Sequence, residues 1–336
     1  MRSEQVPTKP RKTVAFVDIG HDRGVPGLIL DSFAPQYDFV EVCPSKADYV
    51  FHSGNGNGYD ILRCPGVRIY HGGECVVPDF NISDYAMAFE HMDYADRNCW
   101  MPLLRMYPSA YASLTAARPD PDRLLAEKTD FCSYVVSNLD DSAPERIEIF
   151  EKLSAYKPVL SGGKWRNNVG GRVADKIAFQ SKSRFVIAFE NFSYPGYLTE
   201  KFAEAAQSNA VPIYWGDPLV ASVFNPKAFV NCHDFPDLDA VVAEVRAIDS
   251  DETRYRSMLA EPWFPDGREP ENLTAEFYGK FLANIFDQPH EQAYRRNRSR
   301  WGKKYEKRLT TMVFNPLLQF GLLAKERLRK LRGKRT

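Results

Sequence analysis

Short apolar runs alternate with longer segments of helical period along most of this chain, and the alternation comes in two series. In the first, residues 14–18, 37–42, 48–51, 67–70 and 85–89 read as strands, being too brief for helices and rich in β-branched and aromatic side chains. A short helix is expected over 28–33. The second series is more regular. Strands are predicted over 131–136, 158–160, 185–189, 211–215 and 229–231. Between and after them lie helical patterns over 144–156, 175–181, 199–208, 240–247 and 275–286. Ile147, Phe150 and Leu153 mark the apolar stripe of one helix, and Phe202, Ala205 and Ala206 that of another. Strands that alternate with helices predict parallel sheets joined by right-handed crossovers, with ligands outside the carboxyl ends of the strands. The proline and charge content of residues 117–123 reads as a linker between domains. The expected division is a disordered start (1–12), an N-terminal domain (13–122), a C-terminal domain (123–290) and a separate tail (291–336).

Composition changes this picture little: 336 residues suit two α/β domains. The six cysteines have no close pair spacing, which argues against a zinc site or a disulfide framework and for a reducing compartment. The polar opening does not read as a signal peptide or membrane anchor. Charge adds more. The net charge of zero hides 15 Lys and Arg against three Glu in residues 291–336, a net of +12 that leaves −12 on the remainder. Within that tail, residues 311–323 are apolar but too short to span a bilayer and are broken by Pro316. They read as an interfacial segment drawn to anionic lipid, with a nucleic-acid arm as the lesser alternative.

Residues 185–218 carry the densest chemistry. A buried strand ends at Phe189 and gives way at once to Glu190 and Asn191. Pro195 and Gly196 mark a loop, and Thr199 is placed to cap the helix whose first turn holds Glu200 and Lys201. A cation there opposes the positive end of the helix dipole, and an anion would repair the mismatch. The first-turn N–H groups and one ammonium make a phosphate site, with Glu200 on sugar hydroxyls. An isolated Glu-Lys pair is more often a solvated surface pair; the surrounding pattern overturns that here. Asp237 and Asp239 have the D-x-D spacing of metal-dependent transferases, but they precede a helix and are better explained as capping. The glycines at 54, 56 and 58 lack the spacing of a dinucleotide fingerprint.

The order Phe189, Glu190, Asn191, Tyr197, Thr199, Glu200, Lys201, Pro212 and Gly216 closely resembles the donor-binding motif of the α-1,3/4-fucosyltransferases, the bacterial members above all. The resemblance extends through 72–97, 131–138 and 224–235, and covers roughly residues 14–285. It implies a GT-B architecture, two Rossmann-like domains facing a central cleft, the N-terminal one (13–122) binding the acceptor and the C-terminal one (123–290) the GDP-sugar, and transfer of L-fucose from GDP-β-L-fucose with inversion, the acceptor hydroxyl being O3 of N-acetylglucosamine in a surface glycan. Glu74 would be the general base, with Cys75 where the family has Asn. Arg146 and Lys201 would bind the diphosphate, and Asn191, Tyr197 and Glu200 would complete the donor pocket, Glu200 either on ribose or near the developing positive charge. His91, Asp93 and Arg97 match the acceptor segment, although Asn98 and Trp100 depart from it. A divalent metal would be dispensable and at most stimulatory. The expected location is cytoplasmic, peripheral on the inner membrane, with no nucleic-acid partner. The alternatives are transfer of another GDP-linked deoxysugar and, less favoured, a silent glycan-binding protein.

Overall fold

The computed structural model describes residues 9–19, 24–54, 59–137, 139, 142–296, 299–317 and 321. Expectations for the first residues, for Gly20, for the middle of the 52–60 loop and for the tail at Leu318, Phe320 and beyond Gly321 lie outside them. The chain forms two compact units. The first is drawn from residues 1–88, 93–99 and 279–336, and the second from 89–92 and 100–278.

The first unit is built on β1 (Arg11–Val17), β2 (Asp38–Glu41), β3 (Tyr49–His52), β4 (Val67–His71), β5 (Tyr85–Ala88) and β6 (Asn98–Trp100), in the order β2-β1-β3-β4-β5-β6. The pairings from β2 through β5 are parallel. Helix α1 (Gly24–Phe33) connects β1 to β2 and buries Ile29, Leu30 and Phe33. Central strands β3 and β4 are buried along their whole length, as a parallel strand covered on both faces must be.

The second unit begins with α2 (Pro108–Thr115) and α3 (Pro121–Glu127). Its sheet comprises β7 (Asp130–Tyr134), β8 (Val159–Ser161), β9 (Ser183–Phe189), β10 (Val211–Trp215) and β11 (Val230–Asn231). Their order is β11-β10-β9-β7-β8, parallel throughout. The crossovers are α4 (Glu145–Ser154), α5 (Lys176–Gln180) and α6 (Glu200–Gln207), followed by α7 (Leu238–Ser250) and α8 (Glu252–Ala260). One core cluster packs Phe202, Phe224, Phe229 and Trp263 against Val186 and Ala188; the other packs Ile149, Leu153, Val241 and Tyr255 against Phe185 and Ile187. Alternate residues of β9 thus serve two cores, which fixes its register.

Two expectations are corrected here. Residues 117–123, read as a linker, lie inside the second unit. Arg118 donates to the Leu259 carbonyl (3.1 Å) and to Asn209 Oδ1 (3.1 Å), and its guanidinium lies over Trp263 at 4.1 Å. Proline there starts α3 at its first turn instead of marking a boundary. The second correction concerns the tail. After α9 (Ala275–Phe286) and α10 (His290–Ala293), the described part of the basic segment belongs to the first unit. The cause is Asp84, a fully buried carboxylate that accepts from the backbone N–H groups of Arg68 (2.7 Å), Arg295 (2.7 Å) and Arg296 (2.8 Å) and pairs with the Arg296 guanidinium. Arg296 also donates to the Gly66 carbonyl (3.0 Å). Helix α11 (Arg300–Val313) is docked by Glu306, whose carboxylate meets buried Arg68 at 2.7 Å, and by Leu309, Val313 and Phe314 against Ala15, Val50 and Leu62.

Removing one partner of a buried pair strands the other charge, which typically costs about 3–5 kcal/mol. Arg296→Ala should therefore lower the unfolding free energy of the first unit by that order, read in urea as a lower midpoint with little change in slope. A loss below about 1 kcal/mol would show that Asp84 does not hold the C-terminal segment in place.

Candidate active site at the carboxyl edge of the second sheet

From β7 the chain crosses through α4 to β8 on one side, then returns through α5 to β9 on the other side of β7. The strand order reverses between β7 and β9. A crevice opens at such a point, outside the carboxyl ends of the two strands. The polar residues predicted from the sequence converge there.

Glu190 follows the last residue of β9 and is fully buried. Its carboxylate accepts from the Thr199 backbone N–H (2.8 Å) and the Thr199 hydroxyl (2.5 Å), and lies 3.1 Å from the Lys201 ammonium. Lys201 also donates to Thr199 Oγ1 (3.0 Å) and Glu200 Oε1 (3.2 Å). Thr199 does occupy the N-cap position of α6, yet its side chain makes no capping bond. The hydroxyl is spent on Glu190 because a buried carboxylate is the more demanding partner.

One ammonium between two carboxylates sets their acidities apart. Burial pushes Glu190 above the ordinary carboxyl range, and Lys201 offsets that only in part. Burial works in the same direction on Glu200, but Lys201 and Lys176 outweigh it and hold Glu200 below its usual value. Burial alone would depress Lys201; Glu190 and Glu200 reverse this and raise it, so its charge is secure. A site with one readily ionised carboxylate, one reluctant carboxylate and a fixed cation at a helix N-terminus can hold an anion and order hydroxyl groups beside it.

Arg146 enters from the second position of α4. It is buried, with Nε donating to Tyr134 Oη (3.2 Å) and Nη1 to Asn191 Oδ1 (2.8 Å). Asn191 is doubly used, since its carbonyl accepts from Ala143 N–H (2.9 Å). Arg146 and Asn191 are thus one construction, joining the segment after β7 to the segment after β9. Beside it is a cavity of about 400 Å³ lined by Ser142, Pro144, Glu145, Phe192, Ser193 and Trp215.

Tyr197 has a different place from the one expected. Its ring is 1% exposed and packs edge-on against Phe89 at 4.7 Å, so it supports the loop from within. That loop turns at Gly196, where φ is +85° and an added Cβ would lie 2.1 Å from the Phe89 carbonyl oxygen. Buried Asp217 accepts from Gly196 N–H (2.8 Å) and Leu219 N–H (2.8 Å), tying the loop to the end of β10. Gly216 is required by Glu190 itself, whose Cγ would lie 2.3 Å from a Cβ at that position. Asp217 is a buried carboxylate of this corner that the sequence reading did not single out, and Glu190 was placed at the strand end and in the motif without a role of its own. A signal was present for Glu190, an acid placed directly on the end of a strand buried on both faces.

In the first unit, Glu74 is exposed just past β4 and follows Gly72 and Gly73. Its loop is held by Tyr70, whose hydroxyl donates to the Val76 carbonyl (3.1 Å). Arg97 is a structural clamp: its guanidinium donates to the carbonyls of Asp84 (2.8 Å), Ser83 (2.8 Å) and Phe80 (3.1 Å) and lies over the Phe80 and Tyr94 rings. Asp93 is exposed. His91, assigned to the second unit, stacks on Trp100 at 4.6 Å. Asp237 accepts from Ala240 N–H (2.8 Å) as the cap of α7, and Asp239 pairs with Lys152 at 2.5 Å. Among the described residues no group of three or more His, Cys, Asp or Glu side chains is placed to hold a metal ion.

Comparison with known proteins agrees with this geometry. Residues 125–263 match the C-terminal domain model of glycosyltransferase family 10 (fucosyltransferase), and residues 14–107 match the N-terminal domain model of the α-(1,3)-fucosyltransferase FucT type. The chain is 33% identical over 246 residues to the α-(1,3)-fucosyltransferase FucT of Helicobacter pylori, covering 64% of this chain and 51% of that protein. It is 28% identical over 179 residues to α-(1,3)-fucosyltransferase 4 of Bos taurus, covering 52% and 43%. It therefore spans about half the length of these relatives. The crystal structure of an α1,3-fucosyltransferase with GDP-fucose superposes with a TM-score of 0.72 at 28% identity, over 86% of this chain and 94% of the other. Two parallel sheets in an α/β chain and this likeness assign the GT-B fold class. The chain belongs to the glycosyltransferase family 10 fucosyltransferases.

Proposed function

We propose that the protein transfers L-fucose from GDP-β-L-fucose, with inversion at the anomeric carbon, to a sugar hydroxyl, O3 of N-acetylglucosamine in a surface glycan. The observation that carries this reading is the constellation at the switch point of the second sheet: Arg146 on Asn191, and Lys201 on Glu190 and Glu200 at the start of α6. The related structure with GDP-fucose supports the choice of donor. In this reading Arg146, Lys201 and the α6 N-terminus hold the diphosphate, Asn191 keeps Arg146 in place, and ionised Glu200 takes ribose hydroxyls or faces the positive charge that grows on the sugar. Glu74 removes the acceptor proton as the acceptor oxygen bonds to C1, while the bond from C1 to the β-phosphate oxygen breaks and its electron pair leaves with GDP. Tyr197 acts as a support of the donor loop. His91 and Asp93 remain candidates for acceptor contacts, with Arg97 holding their segment. Fixed cations and a helix N-terminus take the part that a divalent ion plays elsewhere.

The outward face of α11 supports peripheral attachment to an anionic membrane. Trp301, Tyr305 and Met312 lie 68%, 49% and 60% exposed along one side of the helix, among Lys304, Lys307 and Arg308. The adjacent side, through Glu306, Leu309 and Val313, is the one docked on the first unit. No helix among the described residues is long and apolar enough to cross a membrane.

Glu74→Ala should lower transfer by roughly 10²–10⁴-fold with GDP affinity nearly intact, because a general base acts on the acceptor. The assay is run in excess EDTA, where the wild type should remain active. Survival of more than about a tenth of the activity in the variant would remove Glu74 from the mechanism. Calorimetry with GDP should find that Arg146→Ala weakens binding by roughly 1.5–3 kcal/mol. Lys201→Met should weaken it by a similar amount and also destabilise the second unit, since Glu190 and Glu200 lose their shared cation; unchanged GDP affinity in both variants would place the phosphates elsewhere. Flotation on acidic liposomes at low salt should recover the wild-type protein. Trp301→Ala combined with Tyr305→Ala should reduce that recovery, and failure of the wild type to float would end the membrane reading.

A further inference from the structure

Arg146 is a buried cation with no counter-ion among the described residues. Its side chain is 3% exposed, and no described carboxylate forms an ion pair with it. A charge removed from water is costly unless it is paired, so an anion belongs beside it. Two neutral oxygens hold the guanidinium in place: Nε donates to Tyr134 Oη (3.2 Å) and Nη1 to Asn191 Oδ1 (2.8 Å). Asn191 also ties two segments of the site together through its backbone, but the Tyr134 hydroxyl serves nothing besides Arg146.

Tyr134 is the last residue of β7, one of the two strands between which the order of the second sheet reverses. Its carbonyl accepts from Gly162 N–H (3.1 Å), and its buried ring lies 6.2 Å from Phe150 and edge-on to Trp165 at 6.3 Å. The hydroxyl oxygen is therefore fixed at the carboxyl edge of the sheet. Burial raises the phenol above its ordinary range, and the charges of Arg146 and Lys201 offset that only in part. It is a neutral hydroxyl at working pH, able to accept one bond and to donate another. The two cations that act on it are the same two assigned to the diphosphate.

A hydroxyl that accepts from a guanidinium keeps its own hydrogen, and among the described residues that hydrogen has no acceptor. Buried donors are seldom left so. Phenylalanine would fill the same space between Phe150 and Trp165, so packing does not account for the oxygen. Beside two cations, the acceptor that suits the O–H is an anionic oxygen, which the cations attract and whose bond to the hydroxyl is charge-assisted.

We infer that Tyr134 is a further ligand of the diphosphate: its hydroxyl fixes Arg146 by accepting from Nε and donates its own hydrogen to a phosphate oxygen held by Arg146 and Lys201. The bond strengthens as negative charge collects on the departing diphosphate, so it bears on turnover as well as on affinity. The inference rests on the reading of this site as the GDP-fucose site, and the experiment keeps the two apart.

Binding of GDP is measured by calorimetry and that of guanosine by NMR titration, with transfer kinetics at varied GDP-fucose, for wild type, Tyr134→Phe and Arg146→Ala. Tyr134→Phe keeps the ring and its packing. Its GDP affinity should fall about tenfold, the size of a lost hydrogen bond to a charged group, with guanosine affinity unchanged. Its kcat should fall as well, with KM for the acceptor unaltered. A merely structural hydroxyl would not single out the phosphates. Equal losses for GDP and guanosine in Tyr134→Phe, or GDP affinity within twofold of wild type while Arg146→Ala weakens it, would overturn the role of Tyr134 and leave the donor site intact. If neither variant weakens GDP, the phosphates lie elsewhere, and the reading of the site falls together with Tyr134.

Discussion

The second unit is organised around a carboxylate that is shut off from bulk solvent. Glu190 is fully buried at the end of β9, and an isolated charge there would cost several kcal/mol unless it were paired and hydrogen-bonded. Its requirements set the neighbouring structure. Thr199 gives it both N–H and hydroxyl, which fixes where α6 begins, and Lys201 is drawn back over the first turn to neutralise it. Position 216 must be glycine because the Glu190 side chain fills the space of a Cβ. The cation at the helix N-terminus, unfavourable in an isolated helix, is stabilised by two carboxylates and leaves the site pre-assembled. Catalytic sites commonly depend on such prior arrangement, since no reorganisation is then needed as charge develops.

Each unit presents polar residues at a reversal of strand order, and this follows from chain topology more than from local sequence. A strand whose successor goes left and whose next neighbour goes right leaves both connections diverging, and the space between them is lined by whatever follows the strands. In the second unit those residues are Arg146, Glu190 and Asn191; in the first they are Asp18, His52 and Ser53. Two similar scaffolds thereby carry different chemistry, cationic and fixed in one, carboxylate-lined and aromatic in the other.

The basic C-terminal segment shows how charge counting misleads when a single buried acid lies elsewhere in the chain. Fifteen Lys and Arg in 46 residues suggest a detached tail. Two of those arginines and Glu306 are instead part of the first unit, because Asp84 and Arg68 need partners of opposite sign inside it. The remaining basic residues of α11 stay outside, on the face that also shows Trp301 and Tyr305.

Much of the fold was legible in the chain, and the reason is periodicity. All the strands except β6, together with α4, α6 and α9, announced themselves through apolar spacing and length, and the helix cap at Asp237 through its side chain. The cluster of Glu190, Thr199, Glu200 and Lys201 was legible too, since these residues are close in sequence and follow directly from a strand end. Helices α2 and α8 were not, because their local pattern is weak and they are held by contacts with residues far away, such as Tyr111 with Glu269 and Tyr255 with the Arg184 carbonyl. The same holds for Arg97, whose partners are carbonyls of a loop, and for Tyr197, whose aromatic ring belongs to the core. Sequence by itself determined which residues carry charge and which elements they start or end. Only the tertiary structure decided which charges are buried together, because the cost of removing a charge from water depends on every group packed around it.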